Sequence, residues 1–240
     1  MKKRDPKQRS VSLGTKNIPF ELINRNVKRL TINVYPDKRV EVIAPHGKPL
    51  DEILKRVRKR APWIQKQLNH FDQYHPLPTR KKYVSGETHH YLGRQYRLKI
   101  VKSKSEAVKL IGRYLYVYTP DRENTWMIRS QLDKWYLSHA RTIFLRRLER
   151  CLEMAPTLDV NPDQIIIRRM KNRWGSFTKK RNIVLNTELV KVPVHCIEYV
   201  IMHELCHMKV AKHSPEFYRL LSRHMPDWEA RKERLDRFVH

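Results

Sequence analysis

The sequence between residues 203 and 213 reads HELCHMKVAKH. In a helix, His203 and His207 lie about 40° apart on one face, because each residue turns the chain by about 100°. Glu204 lies beside them, and His213 follows far enough along the chain to return as a third imidazole. Two histidines four residues apart, the first followed directly by a glutamate, are typical of zinc-binding helices. The stretch therefore predicts a helix that presents a metal site.

The residues before this stretch support a helix. Pro193 suits a first helical position. The apolar residues then recur at helical spacing and form one stripe, with the two histidines nearly on the opposite face. The members of the stripe are Val194, Ile197, Ile201, Leu205 and Met208. We therefore expect a helix with its apolar stripe against a core and its histidines facing a cleft.

The residues after His213 indicate that it lies in a turn. Ser214 is a good N-cap, Pro215 fits the first helical position, and Glu216 favours the first turn. A new helix should start there. We therefore expect this turn to bring His213 back toward His203 and His207.

The residue types define a chemistry. Three protein ligands leave a fourth position open, which is typical of catalytic zinc rather than structural zinc. Zinc lowers the pKa of its bound water, and Glu204 can take the proton and pass it to a leaving amine. The expected reaction is the hydrolysis of an amide, with Glu204 as general base. A peptide bond is the favoured substrate.

Composition limits the remaining possibilities. The chain has 240 residues, and its three cysteines, Cys151, Cys196 and Cys206, form neither a disulfide framework nor a CxxC pair. This cysteine usage indicates a reducing compartment. No secretory signal and no apolar run of about 18 residues is visible, so we expect a soluble cytoplasmic protein. A P-loop is also absent from the sequence, which argues against an ATP-driven protease.

The charge is strongly positive, at +27 overall. Residues 1–125 hold 29 Lys and Arg against 11 Asp and Glu, and the remainder holds 22 against 13. Such an excess favours polyanions such as DNA or RNA. A solvated basic surface that selects no partner is the alternative interpretation of the same charge.

The pattern along the chain predicts an α+β protein with three parts. Residues 1–16 are expected to be a disordered basic arm, 17–124 a basic, strand-rich α+β domain, and 125–240 a small zincin-like catalytic domain. Residues 31–35 and 40–43 read as a hairpin, and residues 49–69 read as a helix that Pro62 could interrupt. Aromatic strands at 91–92, 96–101 and 114–118 could stack bases, although half-buried sheet residues are the simpler explanation.

The catalytic domain is expected to contain four elements in order. They are a long helix at 125–154, a β-hairpin from strands 164–168 and 183–186, the HExxH helix, and a C-terminal helix. A strand close to the zinc helix could bind a substrate backbone by β-addition.

Several segments together resemble the YgjP-like zinc metallopeptidases, zincins related to the SprT and WLM groups. The matching residues are Arg173-Trp174-Gly175-Ser176, Ile183–Asn186, Tyr199–His207 and His213–Phe217, with similarity also in the N-terminal hairpin, in Trp63-Ile64 and around Gly86–Gly93. The resemblance implies a zinc-dependent peptidase with His203, His207 and His213 as ligands and Glu204 as general base. The SprT-related branch includes proteases that act on proteins crosslinked to DNA, which by analogy would suit the positive charge.

Two departures bear on the resemblance. The family motif RWGS is usually followed by Cys, whereas Phe177 stands here. The ligand spacing also equals that of metzincins, but Val210 replaces their glycine and Met225 is a poor substitute for their Met-turn, so we disfavour that group. Arg173 is a candidate for contacting substrate, with strand packing as its alternative role.

Two functions of other classes stay open at this point. One is a nucleic-acid-binding module with a structural or vestigial zinc site, which the charge of residues 1–125 supports. The other is a metal-dependent nuclease, although nucleases usually supply carboxylate clusters for hard cations and none is evident here.

Overall fold

The computed structural model describes residues 7–35, 37–72, 81–171, 173–178 and 180–238. These residues form two compact units, one within residues 1–79 and one within 80–238. Each unit contains its own hydrophobic core. Among the described helices, none has the length and apolar character needed to cross a bilayer.

Unit 1 packs one helix on a four-stranded sheet. Its strands are β1 (Lys7–Leu13), β2 (Lys16–Arg25), β3 (Thr31–Val34) and β4 (Val40–Pro45), followed by α1 (Leu50–Asp72). The sheet order is β1-β2-β4-β3, with β2 and β4 parallel and the other pairs antiparallel. The predicted hairpin is therefore β3–β4. Pro62 lies inside a continuous α1, so the possible interruption does not occur.

The predicted disordered arm at residues 1–16 differs from the structure. Residues 7–13 form β1, which pairs along its whole length with residues 16–22 of β2. Val11 is buried in the core of unit 1, and this burial explains why the basic segment is ordered. Residues 1–6 lie outside the described residues.

Unit 2 begins with a second four-stranded sheet. It contains β5 (Thr88–Tyr91), β6 (Arg94–Lys102), β7 (Ala107–Ile111) and β8 (Tyr114–Thr119), in the order β5-β6-β8-β7. The sequence predicted β6 and β8 and missed β7. Its predicted run at 91–92 overlaps β5 only at Tyr91, because Leu92 lies in the turn. The inner face packs against α2 (Thr125–Met154), whose Asn124 cap accepts a hydrogen bond from the backbone N–H of Met127.

The turn between β5 and β6 is attached to the segment that precedes the HExxH helix. Leu92 and Gly93 both have positive φ, as a two-residue hairpin turn requires. Their backbone N–H groups donate to the carbonyls of Val190 and Lys191. A Cβ on Gly93 would lie 2.7 Å from Cγ of Pro193, so only glycine fits this approach.

A three-stranded sheet follows, and its pairing corrects one prediction. The strands are β9 (Ile165–Arg168), β10 (Gly175–Phe177) and β11 (Ile183–Asn186), in the order β10-β11-β9. The strand at 164–168 pairs in parallel with β11, so the two do not form a hairpin. The hairpin is β10–β11, because the chain crosses over between β9 and β10 before it turns back.

Three helices complete unit 2: α3 (Val194–His207), α4 (Pro215–His224) and α5 (Trp228–Asp236). The predicted C-terminal helix is thus two helices, which separate at Met225-Pro226. The α+β class is confirmed. The division between the compact units falls near residue 80 rather than at the predicted 124/125 boundary, because the β5–β8 sheet shares a core with α2 and α3.

A buried carboxylate joins three helices of this unit. Glu198 of α3 is 7% exposed and accepts from Nη1 of Arg147 at 3.2 Å and Nη1 of Arg231 at 3.0 Å. Nε of Arg150 lies 3.4 Å away on the more exposed side. Since Arg147 belongs to α2 and Arg231 to α5, the cluster fixes α3 between them.

Candidate metal centre

The helix α3 carries two of the three histidines. His203 and His207 lie one turn apart near its C-terminal end, as the spacing predicts. The rest of α3 is almost entirely buried, including the predicted apolar residues Ile197, Ile201 and Leu205. Packing on several sides therefore fixes the orientation of the two imidazoles.

His213 returns to the same place through a short turn. The backbone N–H groups of Lys209 and Val210 both donate to the carbonyl of Cys206, which ends α3. The next helix then begins as the sequence predicts, with the Ser214 side chain accepting from the N–H of Phe217. Hydrogen bonds thus fix the turn between α3 and α4 where it leaves α3 and where it enters α4.

The three imidazoles converge through their Nε2 atoms. Nε2 of His213 lies 2.9 Å from Nε2 of His203 and 3.1 Å from Nε2 of His207. All three rings contact the Phe217 ring, with centroid distances between 4.5 and 4.9 Å. Among the described residues, these histidines form the one group of three or more metal-binding side chains whose ligand atoms lie together.

The state of these rings fits a cation. Nδ1 of His207 lies 3.1 Å from the carbonyl oxygen of Val210. Because a carbonyl only accepts, Nδ1 is the donor there, and Nε2 is the nitrogen that faces the other two imidazoles. Burial, followed by the neighbouring His207 and His213, lowers the pKa of His203 to about 3. The pKa of His213 is lowered as well, mainly by burial. Neutral imidazoles are the form that binds a metal.

Glu204 lies in a tight pocket beside the imidazoles. It is 5% exposed, and burial raises the pKa of its carboxyl to about 7. The charge of Arg173 and a hydrogen bond from the backbone N–H of Phe177 act in the opposite direction. A Cβ built on Gly175 would lie 2.7 Å from Oε1 of Glu204, so the carboxylate occupies space that only a glycine leaves free.

An open groove of about 480 Å³ leads to these groups. The strand β10 and the residues around it form one wall, and the histidines and Glu204 form the other. The lining residues are Arg173, Gly175, Ser176, Phe177, Thr178, His203, Glu204, His207, Ala211 and His213. β10 is the edge strand of its sheet as described, so a peptide in the groove would meet an unpaired strand.

A buried asparagine holds the segment that carries Arg173. Asn186 Nδ2 donates to the carbonyls of Met170 and Arg173, both at 2.8 Å. Its backbone N–H donates to the carbonyl of Trp174, also at 2.8 Å. The crossover between β9 and β10 is thereby fixed at the groove.

The structure brings together every site residue that the sequence singled out. The three histidines converge, and Glu204 and Arg173 line the same groove. Phe177 contributes its backbone N–H to Glu204. Sequence reasoning missed the roles of Gly175 and Asn186. A glycine within a strand can mark a close backbone approach, and that signal could have identified Gly175.

Two solved structures show limited similarity to the chain. A solved metallopeptidase zymogen, abylysin from Pyrococcus abyssi, is 21% identical over 38% of this chain and 90% of its own, with a TM-score of 0.35. A second, jannalysin from Methanocaldococcus jannaschii, is 26% identical over 37% of this chain and 84% of its own, with a TM-score of 0.32. No curated protein is significantly similar to the chain.

The family comparison covers far more of the chain. The model of the YgjP-like metallopeptidase domain matches residues 28–238, which include most of unit 1 and all of the described part of unit 2. The chain therefore belongs to the YgjP-like metallopeptidase family.

Proposed function

We propose that this metallopeptidase depends on zinc, with His203, His207 and His213 as ligands and Glu204 as general base. The observation that carries the proposal is the convergence of the three Nε2 atoms, at 2.9 and 3.1 Å from His213. Imidazole nitrogen is a preferred zinc ligand, and three protein ligands leave a position for water or substrate. When bound, zinc would supply a Lewis acid that polarises the scissile carbonyl and acidifies a water molecule.

Glu204 would carry the proton of the attacking water during hydrolysis. Glu204 is positioned to take a proton from the attacking water as the oxygen adds to the peptide carbonyl carbon. The same carboxyl group would return that proton to the nitrogen as the C–N bond breaks. Gly175 and Phe177 hold the carboxylate in place for both transfers.

The groove wall would hold the substrate. A peptide that adds to the edge strand β10 would gain backbone hydrogen bonds there, with its scissile bond next to Glu204. Arg173 is a candidate for contacting the substrate, since it lines the groove and its charge acts on Glu204. Specificity beyond an extended peptide would depend on the side chains that line the groove.

The charge supports an association with nucleic acid, and hence action on nucleic-acid-associated proteins. The net charge is +27, with the larger excess in residues 1–125. The three cysteines are free and buried, in keeping with a reducing compartment such as the cytoplasm. The alternative function is a nucleic-acid-binding module whose zinc site is structural or vestigial, which the same charge supports.

Glu204→Gln provides the test of the peptidase. The full chain is loaded with zinc and incubated with an unfolded protein such as casein, with and without DNA. We expect Glu204→Gln to lose at least about 100-fold in rate, as is typical when a general base is removed, while zinc content stays the same. Chelation should abolish cleavage by the wild type, and added zinc should restore it.

The outcomes separate the two functions. Cleavage that is equal in the wild type and Glu204→Gln would contradict the proposed base. The nucleic-acid-binding module would be favoured if the zinc-loaded chain cleaves no protein, and if the wild type and Glu204→Gln bind DNA equally well. His213→Ala should lose zinc in equilibrium dialysis, and retention of zinc by this variant would contradict the proposed ligand set.

A further inference from the structure

The β5–β8 sheet has one buried face and one exposed face. Leu98, Ile100, Leu115 and Val117 point into the core of unit 2 and are buried. The alternate residues of β6, β7 and β8 form the opposite face, which we call the tyrosine face. Each row across the face contains one residue from β6, one from β8 and one from β7, in that order. The three rows are Arg97, Tyr114 and Ile111; Lys99, Tyr116 and Lys109; and Val101, Tyr118 and Ala107.

Three tyrosines run along the central strand of this face. The ring centroids of Tyr114 and Tyr116 lie 6.0 Å apart, and those of Tyr116 and Tyr118 lie 6.2 Å apart. Tyr114 is exposed, with 37% of its surface accessible to solvent. None of the three rings packs against the core as described, and their hydroxyl groups have no hydrogen-bond partner among the residues in view. The fold therefore leaves these rings available to a ligand.

Lysines flank the row of tyrosines. Nζ of Lys99 lies 3.9 Å from the centroid of the Tyr114 ring and 5.6 Å from that of Tyr116. Nζ of Lys109 lies 5.8 Å from the Tyr118 ring. Cation–π attraction thus holds an ammonium group beside each ring.

The charge of this region is almost all of one sign. Residues 94–118 contain seven Lys and Arg against one acidic residue, Glu106. None of the seven belongs to an ion pair with a described residue. Without internal counterions, this surface attracts a polyanion.

We propose that the tyrosine face binds single-stranded nucleic acid, with bases stacked on the tyrosines and phosphates beside Arg97, Lys99 and Lys109. The proposal deepens the association with nucleic acid put forward above and rests on it. Aromatic rings interleaved with basic groups are how sequence-tolerant single-strand binders work. A duplex keeps its bases stacked on one another, and an acidic peptide offers no flat ring, so neither would use the three tyrosines.

The first experiment measures stacking. Binding of fluorescein-labelled oligothymidylate or oligouridylate to the full chain is followed by anisotropy. We expect Tyr116→Ala to weaken binding by roughly 5- to 100-fold, the range for the loss of one stacked base, and Tyr116→Phe to restore it. The matched control is Trp63→Ala, which removes a 41% exposed aromatic from α1 and should leave binding unchanged.

The second experiment measures how the lysines interact with phosphate. Lys99→Gln with Lys109→Gln should make the salt dependence of binding shallower, by about 0.7 in log–log slope for each phosphate that is no longer neutralised. Lys55→Gln with Lys59→Gln removes the same charge from the exposed side of α1 and is the control. If the control pair flattens the slope as much, overall charge accounts for binding and the proposed face is wrong.

The remaining outcomes are equally decisive. Tighter binding of oligothymidylate or oligouridylate than of the matching duplex supports the proposed face. Comparing the affinities of the two oligonucleotides shows whether DNA or RNA is the ligand. Equal affinity for duplex, or equal competition by polyglutamate, would overturn it. Wild-type-like binding by folded Tyr116→Ala would reject the face alone. If the wild type binds no oligonucleotide, the association with nucleic acid fails as well, whereas the Glu204→Gln comparison tests the peptidase separately.

Discussion

At the scale of single residues, the position of Glu204, the proposed base, depends on the absence of a side chain at Gly175. Gly175 lies against Glu204, and an added methyl group would approach Oε1 to 2.7 Å and Cγ to 3.0 Å. Val200 Cγ1 lies 2.9 Å away on the same side, so the methyl group could not move aside. Gly175 therefore sets the position of the proposed base.

Gly175→Ala should impair peptide hydrolysis more than zinc binding. The methyl group would push the Glu204 carboxylate away from the attacking water, and a displacement of about 1 Å can cost about 100-fold in rate. Steady-state kinetics should show the loss mainly in kcat. Zinc content and the urea midpoint serve as controls, and unchanged kcat in a folded variant would contradict the role of Gly175.

The sequence predicted the histidines and Glu204 because their spacing is local and follows the helical repeat. Gly175 approaches Glu204 from another strand, and Asn186 holds a crossover that the hydrophobic pattern does not indicate. Such contacts arise only when distant segments pack together. Residue types alone therefore predict the chemistry of the site and leave out the residues that position it.

At the scale of elements, α3 combines two functions on different sides. Its C-terminal turn presents His203 and His207, and its first half presents Glu198 to arginines of α2 and α5. Glu198, Arg147 and Arg231 are all at least partly buried, so water screens their charges only weakly. Removing the carboxylate would leave Arg147 without a charged partner, whereas Arg231 also pairs with Asp227 at 2.9 Å.

Glu198→Ala should therefore destabilise unit 2 by about 3 kcal/mol, because Arg147 would stay partly buried without a counterion and Arg231 would keep only its pairing with Asp227. Urea unfolding followed by circular dichroism would measure the difference. The matched control is Glu233→Ala, which removes an exposed pairing with Arg237 and should cost less than about 0.5 kcal/mol. Equal effects of the two substitutions would rule out the proposed role of the cluster.

Helices were easier to predict than strand pairing. The helices at 125–154 and before His207 show their period within one segment, and the Ser214-Pro215 cap shows where α4 begins. The partner of a strand depends on how the chain crosses between sheets, so the parallel pairing of β9 with β11 had no local signal. β7 is short and lies among polar residues, which concealed it.

At the scale of the whole molecule, the described residues form two hydrophobic cores, one in each unit. The family match begins at residue 28, inside unit 1, and so extends over both. The predicted domain boundary at 124/125 followed from the order of the predicted elements, which made a compact catalytic unit from the long helix onward. The structure instead divides the chain near residue 80, because shared burial and not composition defines a folding unit.

The stability of unit 2 should fall in acid partly because of His89. Burial lowers the pKa of His89 to about 4 from 6.5, although Glu87, 3.0 Å away, opposes this shift. Between these values the unfolded chain binds a proton that the folded chain excludes. The stabilising contribution is thus present above about pH 6.5 and is lost toward pH 4, by at most about 1.4 kcal/mol per pH unit.

His89→Gln tests this contribution, since it removes the titrating group and keeps a polar side chain. Free energies of unfolding would be measured in urea at several pH values with a chelator present. The wild type should lose more stability than His89→Gln between pH 6.5 and 4. Parallel pH profiles would show that His89 titrates alike in both states and would contradict the expected shift.

The closure of the histidine turn also bears on the order of events during refolding. His203 and His213 are ten residues apart, so bringing their rings together closes a short loop at small entropic cost. Gly175 and Phe177 reach Glu204 only after β10 has paired with β11 and docked on α3. We therefore expect the three histidines to come together early in refolding and Glu204 to reach its final position later.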